Sequence, residues 1–295
     1  MIDSQIDWNI VWKRLINNEG DEHQNRAERK NRWDSKENAL DYLNGFLMRS
    51  REHPERIEEM LQKFPLSPEF RVLDIGSGSG NVAIPMSARV AHITAVEPGK
   101  GMMEVLKEQI TEHRVTNITT IPKRWEDVNI ARDLDGPYDL VIASHSLGMP
   151  DIRDAITKMC AASRKWVYLF WDAGISTWEQ RMIDLWPMLH MREHQSGPKA
   201  DILYHLLYDM GIYPNVKTDQ QYILQTYPDM ESAVHKFRKS FYITTPEQEK
   251  IMRDYLKATL EMGENGYFHR QRYYPTMLWW DVSEIENRVR NLKKP

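Results

Sequence analysis

The sequence predicts an α/β chain, a mostly parallel sheet with helices on both faces and a helical cap. Three observations predict it. Five short apolar runs alternate with helical patterns between residues 71 and 171. A glycine-rich loop follows the first run directly. Beyond Trp171 the alternation loosens into helices and two more strand-like stretches, which brings the strand count to seven. Short buried strands joined by helices are βαβ units, and βαβ units build a parallel sheet covered on both faces.

The elements follow in chain order. Trp8, Val11, Trp12 and Leu15 fall at helical spacing, as do Ala39, Leu40, Leu43, Phe46 and Leu47. Between them, Gly20 to Arg32 is charged and has no apolar rhythm. A third helix runs from about Glu55 to Phe64 and ends at Pro65 and Pro68, because proline blocks helix continuation. The five runs are Arg71–Ile75, His92–Val96, Asn117–Ile121, Tyr138–Ala143 and Trp166–Trp171. Helices are expected over Asn81–Arg89, Gly99–Arg114 and Asp151–Arg164, the first bent or tightened by Pro85. Further helices are expected over Glu179–Leu189, Ala200–Met210 (stopped by Gly211), Glu231–Phe241 and Pro246–Met262. Asn215–Leu224 reads as a strand, and Tyr267–Trp280 as an aromatic strand interrupted by Pro275. The last eight residues form a basic tail.

Composition narrows the class. The chain has 295 residues, enough for one large α/β domain with additions, and a net charge of -4. That balance argues against gripping nucleic acid as the main work, because phosphate neutralisation needs a cationic surplus. A single cysteine, Cys160, rules out an internal disulfide and any multi-cysteine zinc site. No apolar run approaches the length of a membrane span, and the N-terminus lacks a secretory pattern, so a cytoplasmic protein is expected. Ten tryptophans either build the core or line a ligand pocket.

The segment Val72–Asn81, VLDIGSGSGN, carries the chemistry. In an open α/β sheet the ligand crevice lies at the carboxyl ends of the strands, so this loop faces it. The glycines let the chain turn tightly and let a ligand approach the backbone. A dinucleotide site wants G-x-G-x-x-G, and a phosphate loop wants a lysine after the glycines; this loop has neither pattern. Instead Asp74 stands two residues before the first glycine, where it would repel pyrophosphate and attract an ammonium group. A second acid, Glu97, ends the second run, where a carboxylate accepts hydrogen bonds from ribose hydroxyls. The crevice therefore suits a ligand with a ribose and a positive amine but no phosphate.

At these residues the chain resembles the class I S-adenosylmethionine-dependent methyltransferases. VLDIGSGSGN is similar to their first motif and TAVEP to the acidic end of their second strand. Lys123–Val128 resembles the segment after the third strand, and Tyr138–Met149 the fourth-strand motif. The resemblance spans Arg71 to Trp171. An earlier segment, NRWDSKENALDYLN from Asn31 to Asn44, looks like the helix that small-molecule members fold over the cofactor.

The resemblance implies a seven-stranded, mostly parallel Rossmann-like sheet and S-adenosyl-L-methionine as cofactor. It implies a backbone path of Gly76, Ser77 and Gly78 beside the methionine part, with Gly80 closing the loop, and Asp74 near the ammonium. Glu97 would take the ribose hydroxyls, Pro98, Trp125 and Glu126 would flank the adenine, and Ser144 and His145 would lie beside the sulfonium. His145 is the candidate for orienting or deprotonating the acceptor. An N-terminal cap over residues 1–66 would precede the cofactor-binding domain, residues 67–295, with cap segments at about 172–199 and 229–263. Trp12, Trp33, Trp178, Tyr204 and Tyr208 are the candidate substrate-pocket residues.

A small-molecule acceptor is expected, with transfer to RNA or to a protein side chain, or cofactor binding without turnover, as the competing readings. No DNA acceptor is expected, because the N/D-P-P-Y/F element is missing. No membrane partner is expected, and a homodimer stays open. His190 to His194 spells H-x-x-E-H, the order of an inverted zinc-protease motif, but a turn follows at once and no third ligand is evident, so no metal is expected. Arg26 to Arg32 reads as a solvated basic face, and Cys160 as helix packing.

Overall fold

The computed structural model describes residues 6–18 and 32–285. Seven strands form one sheet in the order β3-β2-β1-β4-β5-β10-β6. They are β1 (Arg71–Ile75), β2 (His92–Val96), β3 (Ile118–Ile121), β4 (Tyr138–Ser144), β5 (Ser163–Asp172), β6 (Asn215–Thr218) and β10 (Pro275–Asp281). The first five pair in parallel. β10 runs antiparallel between β5 and β6. The chain starts at the sheet centre, moves outward through β2 and β3, then returns to β4 on the other side of β1. The order reverses at β1, and that reversal opens a crevice at the carboxyl ends of β1, β2 and β4.

Alternation along each strand fills both faces, as a doubly covered sheet requires. Leu73, Ile75, Val141, Ala143, Val167 and Leu169 face one core with α7 (Ile152–Ala162) and α9 (Ala200–Asp209). Val72, Ile93, Leu140, Ile142 and Tyr168 face the other, with α3 (Glu55–Leu61) and α4 (Ala83–Met86). Pro85 limits α4 to four residues, continued by a 3-10 turn over Ser87–Arg89. α5 (Lys100–Glu112) follows β2, and the short α6 (Ile130–Asp133) precedes β4.

Two N-terminal helices add to this frame. α1 (Trp8–Asn18) lies on α9 and α7, and buries Trp12 completely in the first core. α2 (Lys36–Glu52) packs on α5 through Ala39, Leu43, Met102 and Val105. The charged segment at residues 20–31, with most of the basic patch, and the C-terminal tail lie outside the described residues.

The cap differs from the expected set of helices. Asn215–Leu224 is not one strand. It splits at residues 219–220 into β6 in the main sheet and β7 (Gln221–Tyr227) in a second sheet. The aromatic stretch likewise splits at Tyr274 into β9 (Gly266–Tyr273) and β10. The expected helix to Met262 stops at Thr259, and β8 (Glu261–Gly263) follows. β7, β9 and β8 form a three-stranded antiparallel sheet. With α8 (Thr177–His190), α10 (Met230–Ser240) and α11 (Pro246–Thr259) it encloses a separate core around Trp186, Phe237, Phe241 and Met252. Strand partners from distant sequence decide this sheet, so local pattern read β7 and β9 as parts of single longer strands and β8 as the end of a helix.

Candidate functional site

The crevice is built from three strand tips. In register, Ile75 stands beside Val96 of β2 and Ala143 of β4. The next residues, Gly76, Glu97 and Ser144, therefore emerge side by side. Gly76 and Gly78 both take positive φ, 71° and 55°. At Gly76 a Cβ would stand 2.3 Å from Ser146 Cβ, so only glycine lets the β1 and β4 loops close on each other. Ser146 Oγ locks that contact by donating to the Ile75 carbonyl at 2.6 Å. A Cβ built on Gly78 would meet, among the described residues, only Met102 Sδ at 3.9 Å, so this side of its backbone borders open space.

Two acids sit at this loop. Glu97 is buried and accepts from Gly78 N–H at 2.9 Å and Gly99 N–H at 2.7 Å. Burial raises its pKa; the two amide bonds oppose that, and nearby Asp34 adds to it. Asp74 is buried, and its Oδ2 has no hydrogen-bond partner among the described residues. Burial, with Glu97 as a neighbouring charge, pushes its carboxyl up to about 7. Ser77 Oγ, a little further along the loop, is also buried without a partner among the described residues. Buried polar atoms left unmatched are rare and mark sites where another group belongs.

The N-terminal segment closes one side. The Trp33 carbonyl accepts from Met102 N–H at 3.1 Å, and Asp34 Oδ1 from Lys100 N–H at 3.0 Å, capping α5. A Cβ on Gly99 would touch both Glu97 Oε1 and Trp33 Cβ at 2.9 Å, so Trp33 and the second acid both stand against Gly99. Pro98 is exposed beside them.

On the other side, His145 holds a left-handed backbone with φ 51°. A non-glycine residue there is strained, and such strain gathers at functional sites. Its amide is pinned to the Phe170 carbonyl at 3.0 Å. The ring is half exposed, with Nδ1 3.7 Å from Asp172 Oδ2. It also stacks toward Trp171 at 6.4 Å, which in turn meets Trp12 at 5.7 Å. Asp172 is a residue the sequence reading missed. It ends β5, as Asp74 and Glu97 stand within one residue of the ends of β1 and β2, so a search for acids near the carboxyl ends of the strands would have found it.

Several expected site residues stand elsewhere. The Trp125 ring is in the main core, with its indole N–H on the Ala155 carbonyl at 3.1 Å and Lys158 Nζ over its face at 4.9 Å; Glu126 is exposed. The five pocket candidates do not form one pocket. Trp12 is core, bonded to the Met149 carbonyl at 2.9 Å. Trp33 borders α5. Trp178 stacks on Phe237 in the cap core at 5.5 Å. Tyr204 and Tyr208 point outward from α9, 38% and 55% exposed. The apolar α9 face buries its leucines, which sends these tyrosines to the surface. His190 Nε2 meets the Phe241 carbonyl at 3.0 Å, and both His190 and His194 pack on Trp186.

A methyltransferase-domain family model matches residues 47–213, more than half of the chain. The chain belongs to that family. This methyltransferase is 26% identical over 233 residues to an uncharacterized protein of Haemophilus influenzae, covering 77% of this chain and 82% of the relative. It is 31% identical over 103 residues to a protein-L-isoaspartate O-methyltransferase of Erwinia tasmaniensis, covering 35% of this chain and 47% of that enzyme. The YcgJ protein of Bacillus subtilis shares the fold, with a TM-score of 0.51 at 14% identity, over 77% of this chain and 98% of that one. The methyltransferase uses S-adenosylmethionine as its methyl donor, as its family does. No helix among the described residues is long and apolar enough to cross a membrane.

Proposed function

We propose that this methyltransferase acts on a small-molecule acceptor held between the β4–β5 tips and the cap. The observation that carries the donor half is the buried Asp74 carboxyl, whose Oδ2 has no partner among the described residues, beside the open side of Gly78. The chemistry of the residues present fits an amino-acid tail joined to a nucleoside. Asp74 offers a carboxylate to an ammonium, Ser77 a free hydroxyl, and Glu97 has lone pairs left for ribose hydroxyls after its two amide bonds. Asp74, Ser77, the Gly76–Gly80 backbone and Glu97 would hold S-adenosylmethionine, with Trp33 and Pro98 on the adenine side and Ser144 and His145 on the methyl side. Trp125 and Glu126 would contribute through their chain path, since the Trp125 ring is committed to the core.

S-adenosylmethionine, when bound, supplies a methyl group already activated by the neighbouring sulfonium charge. The remaining task of the protein is alignment and water exclusion, and good orientation is worth up to about 7–11 kcal/mol. Trp171 and Trp12 give the His145 side an apolar wall. His145 would orient the acceptor or take its proton, with Asp172 able to fix the ring. Of the N-terminal residues, Trp33 and α2 would act as the lid, since α1 and α3 are built into the sheet cores, and the unit of α8, α10, α11 and the small sheet as the acceptor-side cap.

A macromolecular acceptor is the second reading. Arg270 and Arg272 of β9 stand opposite Leu224 and Tyr222 on the outer face of the small sheet, a basic and apolar mixture that suits single-stranded RNA. One experiment separates the two. The protein is incubated with labelled S-adenosylmethionine and a cell extract, and the products are divided by size into small molecules and macromolecules. Label in the small fraction is the expected result; label only on RNA or protein overturns the small-molecule acceptor.

A further inference from the structure

The main sheet ends on an open strand. β6 pairs with β10 on one side, and among the described residues no strand pairs with its other side. All four of its residues are exposed. Thr218 stands beside Thr276, and the next residue continues that register: the Asp219 N–H donates to the Pro275 carbonyl at 3.1 Å. Backbone groups alternate sides along an antiparallel ladder, so those of Asn215, Lys217 and Asp219 turn to β10. Those of Val216 and Thr218 turn to the open edge. A bare row of N–H and C=O groups is a template for another strand.

The edge has a charged face and an apolar face. Lys217 stands opposite Met277, on the side of α3 and α4. Asp219 shares that side two residues on, with its Oδ1 3.7 Å from Lys217 Nζ. The contact is long for a charge-assisted bond, and side-chain exposures of 60% for Lys217 and 37% for Asp219 leave both open to a second partner. Val216 stands opposite Leu278, on the side of α9, and is 46% exposed. Tyr213 precedes β6 by two residues, is also exposed, and meets the exposed Tyr208 ring of α9 at 5.1 Å.

We propose that β6 is the interface with a second copy of this chain, the two strands pairing antiparallel about a two-fold axis at Thr218. Three two-fold registers set outward-facing residues opposite each other. An axis at Val216 sets Thr218 against Pro214, which has no N–H to give. An axis midway between Val216 and Thr218 sets Lys217 against its own copy, and like charges directly opposite repel. An axis at Thr218 sets Lys217 of each copy against Asp219 of the other. These pairs fall at non-hydrogen-bonded positions, where facing side chains come closest. Thr218 then exchanges both backbone bonds with its counterpart, and Val216 faces Gln220. A lysine in mid-edge keeps many sheets apart; here the acid two residues along gives that lysine an acceptor across the axis. Val216, Tyr208 and Tyr213 of each copy lie on the α9 side of the joined sheet. The interface is at the far end of the strand order from β1 and β2, so it leaves the methyl-donor crevice open.

The test is sedimentation of the full chain at rising concentration, and the mass of a dimer is expected. Lys217→Asp sets acid against acid across the axis, and Asp219→Lys sets lysine against lysine, twice in each case. Each variant should weaken association about tenfold or more. Both side chains are exposed, so neither change threatens the fold. Mixed in equal amounts, the two variants should pair with each other, because both positions then hold lysine against acid. The mixture should recover the dimer at a concentration where each variant alone is monomeric. A wild-type chain that stays monomeric overturns the interface. So does a dimer that either variant leaves intact, or a mixture that stays monomeric.

Discussion

Asp74 is the side chain on which the donor reading turns. Its environment disfavours ionisation until pH about 7, while the unfolded chain ionises near its ordinary value of 3.8. Between those values the folded state keeps a proton that the unfolded state has lost. Stability from this group is therefore full at low pH and declines as pH rises toward 7. An ammonium partner reverses the preference, because it favours the ionised form. S-adenosylhomocysteine should accordingly bind about tenfold more weakly near pH ~6 than near pH ~8, measured by calorimetry. Asp74→Asn should flatten that profile, lower affinity at the higher pH by about 100-fold, and leave the ligand-free protein as stable or more so. A variant that binds normally would remove Asp74 from the site. His145→Ala belongs to the other half of the crevice. It should lower turnover by about 100-fold or more while donor affinity stays within about twofold, if the accepting atom carries a proton.

At the scale of elements, α1 is the least expected contributor. Trp12 and Trp8 were legible as one helical stripe, but not what the stripe covers. Trp12 ends in the main core, hydrogen-bonded to the loop after β4, and Trp8 stacks on His205 of α9 at 4.4 Å. Trp12→Ala should cost about 3–5 kcal/mol in denaturant unfolding, and should also loosen the Trp171–His145 wall. The same element scale explains the misread cap. A run of alternating residues can pair with either of two sheets, and proximity in sequence does not choose. Asp219 and Gln220 follow β6, and the chain leaves the main sheet there to start β7. Nothing local distinguishes that exit from a continuous strand.

Across the whole molecule, the cap core and the sheet cores are separate clusters, joined by α8 and the strands that leave and re-enter the main sheet. Donor and acceptor functions should separate along that boundary. Trp178→Ala, which opens the cap core beside Phe237 and Phe241, should reduce turnover of the acceptor while S-adenosylhomocysteine affinity by calorimetry changes less than about twofold. Equal loss of both would mean that the cap and the crevice act as one unit.

The sequence by itself determined the five parallel strands, the glycine loop after the first and the two acids beside the ends of neighbouring strands. These depend on short-range facts: alternation along each strand, glycines where the backbone must turn left-handed, and a carboxylate at the end of a buried run. Only the tertiary structure decided which aromatic rings are wall, core or surface, that Asp172 meets His145, and that β6 takes the open edge of the main sheet. Those outcomes depend on which distant segments pack together, and a side chain's environment, unlike its period, is not written in its neighbours along the chain.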